Sequence, residues 1–123
     1  MKFQLQKSTG QNLFTGYGSG YLTVNYVRYE RSLVVTPERV IEDWPAAVFD
    51  ELNVSHFEFL RVLNPEIVLL GSGSTLRFPR PDLSRCLAEV RIGFEVMDTT
   101  AACRTYNILA GEGRNVVAAV LLA

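Results

Sequence analysis

The segment DTTAACRTYN, residues 98–107, gathers an acid, several hydroxyls, a thiol and a guanidinium within ten positions. Nucleophilic chemistry at Cys103 would need a base to draw off the thiol proton, because the thiolate is the reactive form. The single histidine, His56, stands far upstream in a separate helical pattern, and nothing in the sequence brings it near. The spacing favours a structural role. Ala101, Ala102 and Cys103 are small enough for a helix to lie close on a sheet, and Ala102, Tyr106 and Leu109 make one inward stripe. Asp98 or Thr99 suits the position that caps such a helix by accepting its free N–H groups. The segment also follows a predicted strand, and the space beyond strand C-termini is where open α/β sheets bind ligands.

GSGST, residues 71–75, follows another predicted strand, as a dinucleotide loop would. It lacks the third glycine of such loops, and TLRFPRP intervenes before a helix can begin. Gly71, Ser72 and Gly73 therefore read as a tight turn with close backbone approach, while Arg77 and Arg80 keep anion binding open. GEGR, residues 111–114, reads as a turn from which Arg114 could reach Glu95 or Asp98 in an ion pair. His56 reads as solvated or half-buried, and Trp44 and Phe49 as core or rim. Cys86 and Cys103 lack metal-type spacing, and a zinc site would need both of them, His56 and a carboxylate to converge. No metal, cofactor or catalytic residue is assigned.

These residues need elements to position them. YLTVNYV (21–27) reads as a strand, RYERS as a turn, and LVVT (33–36) as its antiparallel mate. TGYGSG (15–20) reads as a preceding loop. IEDWPAAVFDEL (41–52) holds a short helix opening at Pro45, and SHFEFLRVLNP (55–65) another, with capping-box spacing between Ser55 and Glu58. From residue 66 the pattern changes to strand EIVLLG, helix PDLSRCLAEVRIG with Leu83, Cys86, Leu87 and Val90 on one stripe, strand FEVM, helix DTTAACRTYNILAG closed by Gly111, and strand VVAAVLL. That β-α-β-α-β order predicts right-handed crossovers in an α/β layer.

The chain has 123 residues, 48% hydrophobic and 20% charged, with a formal net charge of −1. This predicts a single domain spanning 1–123, with a proper core. No basic run offers a counterion-release argument for nucleic acid. The longest apolar run, eight residues at the C-terminus, is far short of the roughly 20 needed to span a bilayer. With no signal-like N-terminus in MKFQLQKSTGQN and with unpaired cysteines, a soluble cytoplasmic protein without membrane insertion is expected.

PEIVLLGSGSTLRFP, then GFEVMDTTAACRTYNILAGEGRNVVAAVLL, with LVVTPERVIEDW upstream, resembles the Mth-like domain family across residues 14–122. That family was long labelled a domain of unknown function and includes mitochondrial complex I assembly factor 3. The resemblance implies a three-layer α/β fold around a central mixed sheet, here an N-terminal antiparallel hairpin followed by β-α-β-α-β. It implies recurrent positions at Gly71, Gly73, Asp98, Thr99, Ala102, Asn107, Glu112 and Arg114. With Ser72 and Arg104 these form a candidate polar cluster or ligand site beyond the strand ends. The expected function is a non-enzymatic interaction or assembly module with protein partners, a homo-oligomer being allowed. The alternative is a small-molecule, anion or nucleotide binding protein, or a cryptic enzyme, with its pocket at the strand C-terminal ends.

Overall fold

The computed structural model describes residues 10–122. Its centre is a five-stranded mixed sheet in the order β5-β4-β8-β6-β7, beside a separate three-stranded antiparallel sheet, β1-β2-β3. The large sheet comprises β4 (Leu33–Val35), β5 (Val40–Ile41), β6 (Ile67–Gly71), β7 (Gly93–Met97) and β8 (Val116–Val120). The small one comprises β1 (Phe14–Gly18), β2 (Tyr21–Val24) and β3 (Val27–Tyr29). Helices α1 (Val54–Val62) and α2 (Pro81–Glu89) cover one face of the large sheet, while α3 (Thr99–Gly111) and the small sheet cover the other. The expected three-layer α/β fold with β-α-β-α-β in its second half is what the chain adopts.

The inner strands β4, β6 and β8 are buried on both faces and so read as continuous apolar runs, whereas the edge strand β7 carries the exposed Glu95. Alternation divides them. Val68, Leu70, Val117 and Ala119 meet the α1–α2 layer around Phe57, Leu60, Leu83 and Leu87. Leu69, Val116, Ala118 and Val120 meet Ala102, Cys103, Tyr106 and Ala110 of α3. Parallel pairs β6–β7 and β6–β8 run in unbroken register from Ile67↔Gly93 and Ile67↔Val116.

The N-terminal half departs from the sequence reading in several places. The expected strand over 21–27 is broken after Val24 by a two-residue turn, with Asn25 at φ 49° and Tyr26 at φ 69°. Two consecutive positive φ values match the twist of a tight hairpin, so β2 pairs with β3, its neighbour in sequence. Residues 33–36 are not their mate: β4 joins the central sheet, antiparallel to both β5 and β8. The central sheet is mixed for that reason, and not through the small hairpin sheet. The expected loop over 15–20 begins as β1, paired antiparallel with β2, with Gly18 opposite Tyr21 and leaving room for its ring.

The helix expected over 41–52 contracts to a 3₁₀ turn at Phe49–Glu51. The preceding stretch, 42–47, takes no regular secondary structure, with Trp44 and Ala46 buried. Trp44 donates its indole N–H to His56 O and its ring meets the His56 ring edge-on at 5.7 Å. The capping box of α1 is Asn53 with His56 instead of Ser55 with Glu58: Asn53 Oδ1 accepts Ser55 N–H, and His56 Nδ1 accepts Asn53 N–H. His56 is consequently buried, at 6% exposure, against the half-buried or solvated expectation. Val90 leaves the α2 stripe and caps the helix at 43% exposure. Arg91 there takes the left-handed φ that glycine usually supplies, while Gly93 is already strand. For α3 the left-handed residue is Gly113, two beyond Gly111. Among the described residues, no helix is long and apolar enough to cross a membrane.

Candidate functional site

From β6 the chain crosses by α2 on one face to β7, then returns by α3 on the other face to β8. The connections leaving the ends of β6 and β7 therefore diverge, which is the geometry that opens a ligand crevice in many α/β sheets. Here Gly71, Ser72, Gly73, Asp98 and Thr99 meet at that point, and their own hydrogen bonds close it. Ser72 N–H donates to Met97 O at 2.8 Å, Leu121 N–H to Gly71 O at 2.9 Å, and Thr99 N–H to Gly73 O at 2.9 Å. Thr99 Oγ1 accepts Gly73 N–H at 3.0 Å and donates to Leu121 O at 2.5 Å. One buried hydroxyl thus ties the loop after β6 to the end of β8. Gly71 has to be glycine, since a Cβ there would lie 2.9 Å from Thr99 Oγ1 and 3.0 Å from the Thr99 Cα.

Ser72 and Asp98 serve local ends. Ser72 Oγ donates to Thr75 O and accepts Arg77 N–H, shaping the turn after β6. Asp98 is the N-cap of α3, its Oδ1 accepting Ala101 N–H at 2.9 Å, as its spacing indicates. Arg77 swings away to Asp50 at 2.7 Å and stacks on Phe49, and Arg80 pairs with Asp82. Both arginines are engaged on the surface by carboxylates.

The remaining candidates scatter along α3. Asn107 lies under the small sheet, where its Oδ1 accepts Phe14 N–H at 2.9 Å and its Nδ2 donates to Phe14 O at 2.8 Å. Its amide occupies both bonding groups of Phe14, as a neighbouring strand would. Arg104 reaches outward to the Tyr17 hydroxyl at 3.1 Å. Glu112 and Arg114 sit past the far end of α3, about 20 Å from its start at the usual rise per residue. Arg114 pairs there with Glu66 at 3.2 Å, on the surface, and not with Glu95 or Asp98. The nine candidates therefore occupy separate places: a closed crevice, a staple to β1, an outer face and a distal turn.

Sequence reasoning passed over three members of the staple. The Tyr106 hydroxyl donates to Asn12 O at 2.9 Å, Gln11 Nε2 donates to Ala110 O, and the Phe14 and Tyr106 rings meet edge-on at 5.2 Å. The signal for Tyr106 was present, a phenol on an inward stripe needing a partner, but the partner lies 94 residues away.

The electrostatics oppose catalysis by these groups. Burial pushes the Cys103 thiol up to about 12, outweighing the nearby Arg104 charge. It therefore stays a thiol at neutral pH and fills space against the sheet. Burial likewise raises Cys86 and Tyr106, and it lowers His56 despite an opposing pull from Glu51. Among the described residues, no group of three or more His, Cys, Asp or Glu side chains could hold a metal ion. The crevice residues themselves border a depression of about 200 Å³, lined by Gly73, Thr99, Thr100 and Leu121 on one side and by Tyr17 and Tyr21 of the small sheet on the other.

Comparison with known proteins places this architecture. The profile of a family described as "Protein of unknown function (DUF498/DUF598)" matches residues 14–121. A crystal structure of a Bordetella parapertussis protein is similar at TM-score 0.84 and 38% identity, covering 94% of this chain and 99% of that one. A solution structure of a Bordetella pertussis protein described as a Mth938-like domain is similar at TM-score 0.81 and 32% identity, covering 98% and 92%. Among curated proteins, the Francisella tularensis "13 kDa major membrane protein" is 29% identical over 94% of this chain and 95% of its own. The Bos taurus NADH dehydrogenase [ubiquinone] 1 alpha subcomplex assembly factor 3 is 31% identical over 85% of this chain. The match spans 58% of that assembly factor's length.

Proposed function

The chain belongs to the DUF498/DUF598 family of proteins of unknown function, and on that premise we propose that it is a non-enzymatic protein-interaction or assembly module, akin in role to the complex I assembly factors it is similar to. The observation that carries the reading is the mutual bonding of Thr99, Gly73 and Leu121, which spends their polar groups where an α/β sheet would otherwise receive a ligand and leaves only an open depression beside them. Polar residues that could do chemistry are spent on capping and stapling, which leaves the surface as the working part. Affinity purification of the chain at endogenous level should recover a partner that, when tagged, recovers the chain in return. Recovery of nothing specific would count strongly against the reading. We assign this work to the cytoplasm, and salt-resistant recovery in a membrane fraction would move it to a membrane surface.

A second reading is favoured by the depression between Tyr17, Tyr21 and the first turn of α3. Two aromatic rings and the Thr100 hydroxyl could hold a small anion-bearing molecule there, with Arg104 close by through its bond to Tyr17. Thermal shift against an anion and nucleotide library tests it. A shift that Arg104→Ala abolishes supports this site; an unchanged shift removes it.

A further inference from the structure

β7 ends the five-stranded sheet, and among the described residues nothing bonds to the backbone along its outer edge. The ladder fixes which groups face outward. Gly93 N–H donates to Glu66 O at 3.0 Å, and Met97 O accepts Ser72 N–H at 2.8 Å. Positions 93, 95 and 97 therefore address β6, and since bonding groups alternate sides, the N–H and C=O of Phe94 and Val96 are directed away from the sheet. Side chains alternate as well. Phe94 and Val96 lie half-buried against the α1–α2 core, whereas Met97 packs on the α3 face. Glu95 shares that second face and is exposed.

We propose that this edge docks an extended segment of a partner protein, added as a sixth strand, which sets a lysine or arginine opposite Glu95 between two apolar residues. Two outward donors and two acceptors supply the main-chain bonds of strand addition. The flanking apolar side chains would lie beside Phe94 and Val96 on the α2 flank, and the cation would pair with Glu95 across the strands on the other face. A second copy of this chain is a poor occupant. Full antiparallel overlap of residues 93–97 sets Glu95 directly against Glu95, the like-charge opposition by which edges avoid self-pairing. The inference rests on the protein-interaction reading and names its surface.

The test titrates the isotope-labelled full chain with two synthetic peptides, TVKVT and TVEVT, and follows backbone amide shifts. The lysine peptide should shift the Phe94 and Val96 amides, with the glutamate peptide several-fold weaker. Glu95→Lys should reverse that order. Val96→Pro, which deletes an outward N–H while sparing the bonds to β6, should abolish binding. No shift at these amides with millimolar peptide, shifts centred elsewhere, or equal response to both peptides overturns the proposal. So does a dimer in sedimentation that Val96→Pro dissolves, since that seats a second copy on the edge. Should a reciprocally verified partner bind Glu95→Lys as well as the parent, the edge is wrong and the interaction reading stands. Absence of any partner sinks both.

Discussion

The two faces of the central sheet are held by different means. On the α1–α2 side the contacts are bulky and apolar, with Phe57, Leu60, Leu83 and Leu87 meeting Val68 and Leu70. On the α3 side small helix residues, Ala102, Cys103 and Ala110, flank the single large Tyr106 against Leu69, Ala118 and Val120. This side is pinned by side-chain to backbone bonds from Thr99, Tyr106 and Asn107. The first face gains most of its stability from buried area. The second gains register: small side chains bring the backbones close, and each polar group has one partner that a slipped arrangement would leave unsatisfied. Thr99 and Asn107, singled out in the sequence as possible chemistry, are fasteners of the second face.

The comparison can be broken in four ways. Phe57→Ala empties a fully buried site that packs edge-on against Phe94 at 5.7 Å. It should cost about 3–5 kcal/mol and lower the denaturation midpoint of the whole domain. Asn107→Leu should cost less, about 1–3 kcal/mol for the stranded Phe14 groups. Its effect should be local: hydrogen exchange of the small-sheet amides, Leu22 and Val24 among them, should quicken while Leu69 and Leu70 keep their protection. Uniform loosening would mean that the staple carries the whole face. Asp98→Ala should remove about 1 kcal/mol from the α3 cap, read by thermal melting, and Asp98→Asn should restore most of it.

The smallest effect is one of pH. His56 is held below its usual 6.5 by burial, so the folded state favours the neutral ring that accepts Asn53 N–H. The unfolded chain binds the proton first as pH falls, so stability from this group is full above about 6.5 and declines below it, towards the folded value. Denaturant melts at pH 7.5 and 5.5 should differ, and His56→Gln should shrink that difference. An unchanged difference would assign the acid sensitivity to other groups.

What was legible in the sequence follows the same division of the molecule. From residue 66 onward, local patterns decide structure: an apolar run makes β6, Pro81 opens α2, and Asp98 caps α3. The N-terminal half depends on distant partners. Residues 33–35 become a central strand because β8 pairs with them from 83 positions away or more. Residues 44–46 stay out of a helix, with Trp44 bonded to His56 O. The candidate site was legible as a list and misleading as a place. The resemblance grouped Asp98 and Arg114 in one candidate cluster, but a helix of 13 residues separates them, one before its start and one past its end.

Gly71 has a consequence for mutational tolerance. Any side chain there would strike Thr99 and Val120, prising the start of α3 off the sheet and loosening the hydroxyl that closes the crevice. A saturation library scored on abundance should therefore reject every substitution at position 71, as severely as a functional screen rejects changes to a nucleophile. Intolerance of that kind measures room and not reactivity, and in this fold the two should be told apart by whether the rejected variants fail to fold or merely fail to bind.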